Sequence, residues 1–561
     1  MFEQKKQSLF ETKNQTKPTS ESNNAFINGA LKKSAETKSG NGALKYNTTG
    51  NEFVDQFGQL GKYKSPRKFS EIANDCEILW ASNKLLCVIF IFYIRMITRV
   101  TNVLGIHTDE SQKGAGLKHE AIMRMLWLSQ KSKQTFEKNI ILFTCVGSWK
   151  DLITMMQYDL VYNGWGNKIL DWPFMAETIF YGLQHKETSE LVKKYLPQLR
   201  ARSKCTTVEA QADTMIAKYL CSFIYEGSDE MKVTFYKKYR QMKSSGTAHQ
   251  WQQLISKRKF NSIDFNKIHG RALNLLVKGK FLANHGLVEK YNNWISKPDN
   301  NKVKYTGFVH ELMETCAKYK ALISMPKHEQ ETINKQFATL IEKGGSSTQS
   351  SLIVVRDTSG SMASTAEGTN MSCYDIAKSL ALYFSYFLKG SFENAWIEFN
   401  SIALMHQWKG DTPCAKWFND KSNFYGSTNF QSVIDLFCKL KKQGISESEF
   451  PTGILCVSDG EFNKYNLPDE TNYAGSLIKL KQAGFSKQYI DKFVMVFWNL
   501  QSKFYGAKTG CKFETYGNVP NVYYFSGYEP SIISFLTSEI KNAEELFYAA
   551  MNQYVLKLVV L

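Results

Sequence analysis

The sequence of 561 residues contains no long hydrophobic run. The longest one extends from Leu85 to Ile94 and is ended by Arg95, which makes it about half of the roughly 20 apolar residues that a bilayer-spanning helix needs. We interpret it as a buried helix of a soluble protein. Residues Met1 to Lys6 are followed by polar residues and not by the apolar stretch of a secretory signal. The sequence therefore predicts no membrane segment and no membrane partner.

Metal-binding cysteine and histidine patterns are missing as well. The 11 cysteines include no Cys-x-x-Cys pair, and the 9 histidines include no His-Glu-x-x-His spacing. An odd and unpatterned set of cysteines in a large chain favours reduced thiols over a disulfide framework. Structural zinc and zinc-protease chemistry are not expected on the same grounds. The predicted compartment is the cytoplasm.

Motifs of the common catalytic sites are absent from the sequence. There is no P-loop, no Gly-x-Ser-x-Gly nucleophile elbow and no nuclease-like cluster of carboxylates. Gly114-Ala115-Gly116 follows no predicted strand, so it does not indicate a nucleotide-binding unit. The sequence predicts a protein that is not an enzyme. A bound metal that polarises a phosphate is the catalytic alternative that stays open.

Positive charge is abundant and unevenly placed. Residues 346–561 hold 19 Lys+Arg against 20 Asp+Glu, and of the totals of 70 and 52 this leaves 51 against 32, a net of +19, for residues 1–345. From Lys232 to Lys280 there are twelve basic residues and one acid, Asp264. Such a dense charge repels itself unless it meets an anion, and the phosphate backbone of a nucleic acid is the commonest partner. A solvated lysine-rich face without a ligand is the alternative.

The spacing of apolar residues divides the chain into parts. Residues 1–45 are polar and predict a flexible tail. Residues 46–343 place apolar residues three and four apart, which predicts an all-α, HEAT-like array of paired helices with no convincing strands. Residues 344–350 have the Gly/Ser composition of a linker. Residues 351–561 alternate short apolar runs with helical stretches, which predicts an α/β domain with a doubly wound parallel sheet.

The predicted sheet is built from short apolar runs. The strand candidates are Leu352–Val355, Ala395–Phe399, Ile454–Val457, Phe493–Phe497 and Val522–Phe525, and the helical stretches between them include Tyr374–Leu388, Phe430–Lys442 and Ala474–Gln482.

Oxygen-bearing side chains follow two of these strands. Asp357, Ser359 and Ser361 form an Asp-x-Ser-x-Ser motif after the first strand, Asp459 follows a later strand, and Thr428 precedes a predicted helix. In an open parallel sheet, ligands bind at the carboxyl ends of the strands. Three hydroxyls and two carboxylates suit a hard octahedral cation that keeps some waters, so we predict Mg²⁺ first and Mn²⁺ second. An ion that only stabilises the loops is the alternative.

The order of these residues resembles the metal-ion-dependent adhesion site, or MIDAS, of a von Willebrand A domain. The resemblance implies a Rossmann-like fold, and a metal whose coordination is commonly completed by an acidic side chain of a protein ligand. Glu461, close behind Asp459, would support the site without contacting the metal.

The two parts together resemble the Ro autoantigen family, the TROVE-domain RNA-binding proteins, and more closely a family of Ro-like proteins with the same layout. The resemblance covers roughly residues 45–561. The stretches that carry it are Tyr46–Asn51, Gly114–Glu120, Gly147–Leu152, Lys194–Pro197, Trp251–Ser256, Ile263–Ala272 and Asp357–Met362.

The Ro resemblance implies a closed ring of helical repeats whose ends are bridged by the A domain. It also implies that a basic ring surface binds single-stranded ends of misfolded RNA and a small structured RNA. Cations would hold phosphates while interleaved aromatic rings stack on bases, although aromatics at helical spacing more often belong to a core. The aromatics in question are Tyr236, Tyr239, Trp251, Phe260 and Phe265. The matching basic positions are Lys193, Lys194, Arg200, Arg202, Lys204, Lys237, Lys238, Arg240, Lys243, Lys257, Arg258, Lys259, Lys267 and Arg271.

The leading hypothesis from the sequence is an RNA-binding, Ro-like ring protein that acts in RNA quality control or as a ribonucleoprotein scaffold. Its A domain would carry the divalent metal. The alternative hypothesis is a metal-dependent protein–protein interaction module that serves as an assembly or structural component.

Overall fold

The computed structural model describes residues 36–38, 44–46, 49–60, 67–97, 101–109, 112–163, 168–225, 232–245, 250–268, 270–297, 303, 305, 307–344, 352–366, 369–387, 392–422, 425–463, 471–500, 520–528 and 542–561. They form a helix-rich region that ends at Gly344 and an α/β domain that begins at Leu352. The predicted linker lies outside the described residues from residue 345 onward. None of the described helices combines the length and the apolar character that crossing a bilayer requires.

The helix-rich first region confirms the helical pattern of the sequence. Its helices are α1 (Glu52–Gly58), α2 (Phe69–Ser82), α3 (Lys84–Arg95), α4 (Lys118–Lys131), α5 (Lys133–Val146), α6 (Lys150–Asn163), α7 (Trp172–Gln184), α8 (Lys186–Tyr195), α9 (Val208–Ile224), α10 (Lys232–Ser245), α11 (Gln250–Ser256), α12 (Gly270–Lys278), α13 (Phe281–Asn284), α14 (Val288–Ile295), α15 (Val309–Ala317) and α16 (Lys327–Gly344).

Helix α3 forms the centre of the first region. It contains the longest apolar run of the chain, and every residue from Leu86 to Arg95 is buried. Its start is fixed by Asn83, whose side-chain oxygen accepts a hydrogen bond from the Leu86 amide at 3.0 Å. A helix that is apolar all round must be enclosed by its neighbours, and α2, α4 and α5 pack against α3.

A buried ion pair explains the Gly-x-Trp-Lys-Asp-Leu turn between α5 and α6. Arg95 at the end of α3 pairs with Asp151 at 2.7 Å, and the same carboxylate accepts the Ser148 amide at 2.9 Å. A side chain at Gly147 would collide with that carboxylate and with the Arg95 guanidinium. The turn therefore requires glycine so that α3 and α6 can share the ion pair.

Two short β-pairs differ from the sequence prediction. The region predicted to hold no strands contains a hairpin of β3 (Thr101–Val103) and β4 (Ile106–Thr108), whose turn places Leu104 and Gly105 at positive φ. The part predicted as a tail contains β1 (Glu36–Lys38), paired with β2 (Leu44–Tyr46), while residues 1–35 lie outside the described residues. Strands of three residues leave too little periodicity to predict.

The α/β domain is built on a sheet that has six strands in the described residues, in the order β10-β9-β8-β5-β6-β7. All neighbours are parallel except β6 and β7, which form an antiparallel hairpin. The five predicted strands are confirmed, and β7 is the one that was not predicted. The strands are β5 (Leu352–Asp357), β6 (Ala395–Phe399), β7 (Ala403–Gln407), β8 (Gly453–Ser458), β9 (Val494–Asn499) and β10 (Val522–Ser526).

Helices cover both faces of this sheet, as predicted for a doubly wound domain. One face belongs to the same continuous core as the helix-rich region and includes Val354, Leu455 and Val496. The other face has a core of its own, which includes Val355 and Cys456. The helices of the domain are α17 (Cys373–Ser385), α18 (Pro413–Asn419), α19 (Gln431–Lys442), α20 (Asn472–Gln482), α21 (Lys487–Lys492) and α22 (Ala543–Met551).

The α/β domain contacts both ends of the helix-rich region. At the carboxyl-terminal end of that region, α15 and α16 pack against α17 and α18. At the amino-terminal end, α22 packs against α1 and α3, and Asn139 of α5 donates to the Val560 carbonyl at 2.6 Å. The first and the last helices are therefore joined through one domain, so the described chain closes on itself.

Gln553 forms several hydrogen bonds where the carboxyl-terminal segment meets the helix-rich region. Its amide group donates to the Lys113 carbonyl at 2.7 Å, and its carbonyl oxygen accepts the Lys113 amide at 2.5 Å. Nearby, the Gln112 side chain accepts the Val555 amide at 3.2 Å. Because these groups are buried or half-buried, losing their partners carries a desolvation cost.

We expect Gln553→Ala to lower the free energy of unfolding by about 1–3 kcal/mol, because it removes the hydrogen bonds that the Gln553 side chain makes with both backbone groups of Lys113. Gln482→Ala removes an exposed glutamine at the end of α20 and is the control, with an expected change of less than about 0.5 kcal/mol. Urea unfolding monitored by circular dichroism measures both. Equal stability of the two variants would contradict the role assigned to Gln553.

Candidate functional site

The predicted metal ligands lie where the order of the parallel strands reverses. Strand β5 is central, and the chain leaves it toward β6 on one side while β8 pairs with it on the other. Asp357 is the last residue of β5, and Asp459 directly follows β8. In a doubly wound sheet this arrangement opens a crevice between the loops at the carboxyl ends of the two strands.

Asp357 is fully buried, and both of its carboxylate oxygens accept hydrogen bonds. One oxygen accepts the Ser359 amide at 2.8 Å, and the other accepts the Ser458 hydroxyl at 2.5 Å. The hydroxyls of Ser359 and Ser361 lie 3.1 Å apart, so the Asp-x-Ser-x-Ser turn brings them together as the spacing predicts. The turn thus presents two hydroxyls beside a carboxylate of fixed orientation.

Asp459 is oriented by its own turn. One carboxylate oxygen accepts the Glu461 amide at 3.2 Å, and Gly460 between them has a φ of +76°, which a residue with a side chain adopts only under strain. The Gly460 amide donates to the Ser458 hydroxyl at 2.9 Å. Since Ser458 also donates to Asp357, this one hydroxyl links the two strand ends.

The loop that carries Thr428 is joined to both of these turns. The Gly360 amide donates to the Gly426 carbonyl at 3.2 Å, and the Asn463 amide donates to the Thr428 carbonyl at 2.9 Å. Thr428 itself is buried. The loops that carry all five predicted ligands are therefore held against each other by backbone hydrogen bonds.

The electrostatics of the site favour a cation. Burial, and then the nearby Asp459 carboxylate, raise the pKa of Asp357 to about 7. Two carboxylates that repel each other in a buried crevice are relieved by a divalent cation. The donors are hydroxyl and carboxylate oxygens, and the described residues contain no cluster of three His, Cys, Asp or Glu side chains that could hold a metal. The hydroxyl and carboxylate oxygens of the five predicted ligands fit a hard ion such as Mg²⁺.

A polar network beneath the crevice was not predicted from the sequence. The Thr358 hydroxyl donates to Glu398 at 3.0 Å and accepts the Asn400 side-chain amide at 3.1 Å. The other oxygen of Glu398 lies 2.6 Å from Nε2 of His406 on β7. The signal in the sequence was Glu398 itself, a charged residue inside an otherwise apolar strand. The network supports the first loop of the crevice from β6 and β7.

A buried charge cluster lies beside this network. Arg356, one residue before Asp357, pairs with Asp420 at 2.8 Å and lies 4.0 Å from the centre of the Trp396 ring. Lys378 approaches the same Asp420 carboxylate at 3.3 Å. Burial alone would raise the pKa of Asp420, but Arg356 and Lys378 hold it well below its usual range. The charge of Asp420 is thus neutralised inside the domain.

The basic positions predicted to bind RNA fall into two groups in the structure. The first group lies on α8, on α10, which packs against it, and on the connection that follows α8. The second lies between α11 and α12 and, for Arg271, on α12 itself, in a part of the chain that has its own hydrophobic core. The exposed members without a side-chain partner among the described residues are Lys204, Lys237, Lys238, Arg240, Lys257, Arg258 and Lys259.

Other predicted RNA contacts are held by partners within the chain. Arg200 pairs with Asp213 at 2.8 Å, and Arg271 pairs with Glu311 through contacts of 2.5 and 2.6 Å. Lys193 approaches Glu190 at 3.4 Å. These side chains would have to leave their partners in order to bind phosphate.

Three further predicted positions make non-ionic contacts. Lys243 donates to the Lys194 carbonyl at 3.3 Å, and burial lowers the pKa of both lysines. Lys267 donates to the Gln250 side chain at 2.9 Å. The side chain of Arg202 lies outside the described residues.

The aromatic residues among these cations divide between core and surface. Tyr239 and Phe265 are buried, and the Tyr239 hydroxyl donates to the Pro197 carbonyl at 3.0 Å, so neither ring presents a face for stacking. Tyr236, Trp251 and Phe260 are half-buried. The Phe260 ring stacks on His285 with centroids 3.8 Å apart.

Comparison with known proteins adds two findings. Residues 351–555, which lie in the α/β domain, match the family model described as Domain of unknown function (DUF7788). No curated protein matches the chain. Among solved structures, the chain is similar to the Ro (RSR) protein of Deinococcus radiodurans, with 10% sequence identity and a TM-score of 0.35 over 77% of this chain and 87% of that chain.

We expect millimolar Mg²⁺ to raise the melting temperature of the wild-type protein, because an ion that binds only the folded state stabilises it by about 2.7 kcal/mol at 100 times its dissociation constant. Asp459→Asn should abolish the increase. Asp491→Asn, which neutralises an exposed acid on α21, is the control and should retain it. Thermal melts with EDTA and with Mg²⁺ measure the difference, and an unchanged response of Asp459→Asn would exclude Asp459 as a ligand.

The raised pKa of Asp357 also predicts a pH dependence without metal. Since this pKa is higher in the folded state than its ordinary value of 3.8, its contribution to stability is present at low pH and is lost as pH rises toward about 7. In EDTA, we expect Asp459→Asn to be more stable than wild type at pH 8, with a smaller difference at pH 5. Urea unfolding at both pH values measures this, and a difference independent of pH would contradict it.

Proposed function

We propose that this protein is a ring-like RNA-binding protein, comparable to Ro proteins, that acts in RNA quality control or as a ribonucleoprotein scaffold. In this proposal a von Willebrand A-type domain carries a divalent metal, Mg²⁺ or Mn²⁺, and the protein binds its ligands without turning them over. The cytoplasm stays the predicted compartment. The observation that carries the proposal is the set of exposed basic side chains that have no partner among the described residues.

The first of two unpaired groups lies on α10. Lys237, Lys238 and Arg240 are exposed, and none of them has an ion-pair partner among the described residues. Their neighbour Lys243 donates to a backbone carbonyl, so none of these four cations is paired with an acid among the described residues. A face with several cations and no acids attracts polyanions over distances of about 10 Å at moderate salt.

The second group is the turn after α11. Lys257, Arg258 and Lys259 are consecutive and exposed, and Arg258 has a φ of +54°. A turn that projects three neighbouring cations fits a phosphate backbone better than it fits a single carboxylate. The half-buried rings of Trp251 and Phe260 lie on the flanking α11 and on the segment that directly follows the turn. Such rings support stacking of unpaired bases.

The closure of the chain supports a ring-like architecture. The α/β domain contacts the helices at both ends of the first region, which is the arrangement that the Ro resemblance implies. In this proposal the basic helices bind RNA, and the nearly neutral α/β domain binds the metal.

The strand order and the converging loops support an A-type domain. The sheet is parallel apart from one antiparallel edge strand. The Ser-x-Ser turn after the central strand provides two of the oxygen donors that such a site requires. Asp357, Ser359, Ser361, Thr428 and Asp459 would hold the metal. The ion would neutralise the two carboxylates and offer a free coordination position to an acidic ligand.

One observation favours the alternative of a metal-dependent protein-binding module. The rim of the crevice exposes apolar surface, since Ile402 is 52% exposed and Tyr425 is 53% exposed. Both residues adjoin the loops that carry the predicted ligands. A protein that supplies a carboxylate to the metal would also cover these two side chains. In this alternative the metal face, and not the basic helices, holds the main partner.

The RNA proposal predicts a salt-sensitive affinity for RNA with a single-stranded end. We expect the triple variant Lys257→Glu, Arg258→Glu and Lys259→Glu to bind at least about tenfold more weakly and to lower the slope of log affinity against log salt by about 2, because each lost phosphate contact removes about 0.7 from it. Fluorescence anisotropy with a labelled hairpin that has a single-stranded tail measures both.

The control carries the same change of charge on the other domain. Lys481→Glu, Lys487→Glu and Lys492→Glu replace three exposed lysines, the first on α20 and the other two at the ends of α21. We expect this variant to keep most of the affinity. Equal losses in the two variants would mean that total charge and not the turn after α11 governs binding. An affinity that does not depend on salt would contradict the proposal.

A further inference from the structure

Strand β7 is the edge of the sheet in the described residues, and none of those residues forms a hydrogen bond with its outward backbone groups. Trp408 donates to the Asn394 carbonyl at 2.8 Å, so the residues of β7 with even numbers bond to β6. Met405 and Gln407 direct their N–H and C=O groups away from β6. No hydrogen bond reaches these outward groups from the described residues. They form a row of donors and acceptors at which a further strand can pair.

This edge is also apolar. Leu404 is 43% exposed and Met405 is 47% exposed, and Ile402 precedes them on the same hairpin. Natural proteins cover an edge strand of this kind or protect it with charges, because it otherwise pairs with other chains. Only the far end is closed, where the Asn419 side chain donates to the Lys409 carbonyl at 3.0 Å. The stretch from Ala403 to Gln407 is open in the part of the chain that the structure describes.

A cleft of about 800 Å³ runs beside this edge. Its lining includes Met405, Gln407 and Trp408 on one side and Asn419 and Lys421 on the other. The indole N–H of Trp408 is buried and has no hydrogen-bond partner in the described residues. A buried donor without a partner carries a cost that a ligand with an acceptor removes. The cleft therefore has space beside a buried donor that has no partner among the described residues.

The charge of the cleft is positive. Lys409 and Lys421 are exposed lining residues and have no ion-pair partner among the described residues. The acid in the lining, Asp420, is neutralised by Arg356 and Lys378. Among the lining residues, the charge without an ion-pair partner thus comes from the two lysines, and it complements an acidic ligand.

We propose that β7 is a docking site for an extended acidic segment of a protein partner, which adds to the sheet as a further strand. Main-chain hydrogen bonds to Met405 and Gln407 provide the affinity, and Lys409 and Lys421 select acidic side chains. The alternating side chains of such a segment point to the two faces of the sheet, where one set packs beside Leu404 and the other beside Met405. This site goes beyond the proposed function, because it requires neither RNA nor the metal.

The test uses a fluorescein-labelled octapeptide in which Glu or Asp alternates with Val, and the full-length protein. We expect it to bind with an anisotropy change that EDTA does not affect. A peptide with Lys in place of the acids is the matched control and should bind at least about tenfold more weakly. Lys409→Glu combined with Lys421→Glu should weaken binding of the acidic peptide by a similar factor.

A pair of variants separates main-chain pairing from side-chain contact. Met405→Pro removes one outward N–H, and proline is tolerated at that position of an edge strand because the N–H does not bond to β6. It should weaken binding by about tenfold, whereas Met405→Ala keeps the N–H and should stay within about threefold of wild type. Circular dichroism and thermal melts establish that both variants are folded.

Hydrogen exchange of the wild-type protein tests the proposal without any variant. The amides of Met405 and Gln407 should become protected when the acidic peptide binds, whereas those of Leu404 and His406 are already protected by β6. Unchanged exchange at Met405 and Gln407, or equal binding by folded Met405→Pro and Met405→Ala, would overturn the proposal. So would a dimer of the wild type that Met405→Pro abolishes, because the edge would then pair with a second copy of this chain.

Discussion

Two carboxylates at the ends of neighbouring parallel strands are the constraint on which the α/β domain depends. Asp357 and Asp459 are buried close enough for one to raise the pKa of the other. The Ser458 hydroxyl, the Ser359 amide and the converging loops hold them in place. In the proposed function a divalent cation would relieve this concentration of negative charge at the end of the sheet, and the hydroxyls beside the carboxylates would provide the remaining ligands.

The rest of the molecule separates its charges by region. The helices carry the net positive charge, the α/β domain is close to neutral, and the carboxyl-terminal segment joins the two. This separation lets three surfaces act independently: the cations of α10 and of the turn after α11, the metal crevice, and the open edge of β7. In the proposed function the first surface binds a polyanion, and we expect the other two to favour acidic groups of proteins. A scaffold that brings an RNA and a protein together needs such a division.

Features of the structure that depend on neighbouring residues could be predicted from the sequence better than features that depend on contacts between distant residues. The apolar run at Leu85–Ile94 predicted a buried helix, and Asp357 after an apolar strand predicted a turn at the end of a sheet, because both signals lie within a few residues. Strand β7 was missed because its apolar residues face solvent and so do not alternate as in a half-buried strand. The free or paired state of a cation could not be predicted, since Arg271 meets Glu311 across forty positions of sequence. Whether Phe265 belongs to the core or stacks on a base could not be predicted either, because that also depends on contacts with residues distant in sequence.

The central claim is that RNA lies on the basic helices. Ultraviolet crosslinking of the full-length protein to a single-stranded RNA, followed by mass spectrometry of the crosslinked peptides, tests this most directly. The account predicts crosslinks in peptides from α10 and from the segment between α11 and α12, at Trp251 or Phe260 among others. Crosslinks confined to the α/β domain, or none at low salt, would contradict it, and the absence of any crosslink would favour a protein ligand at the metal crevice as the main partner.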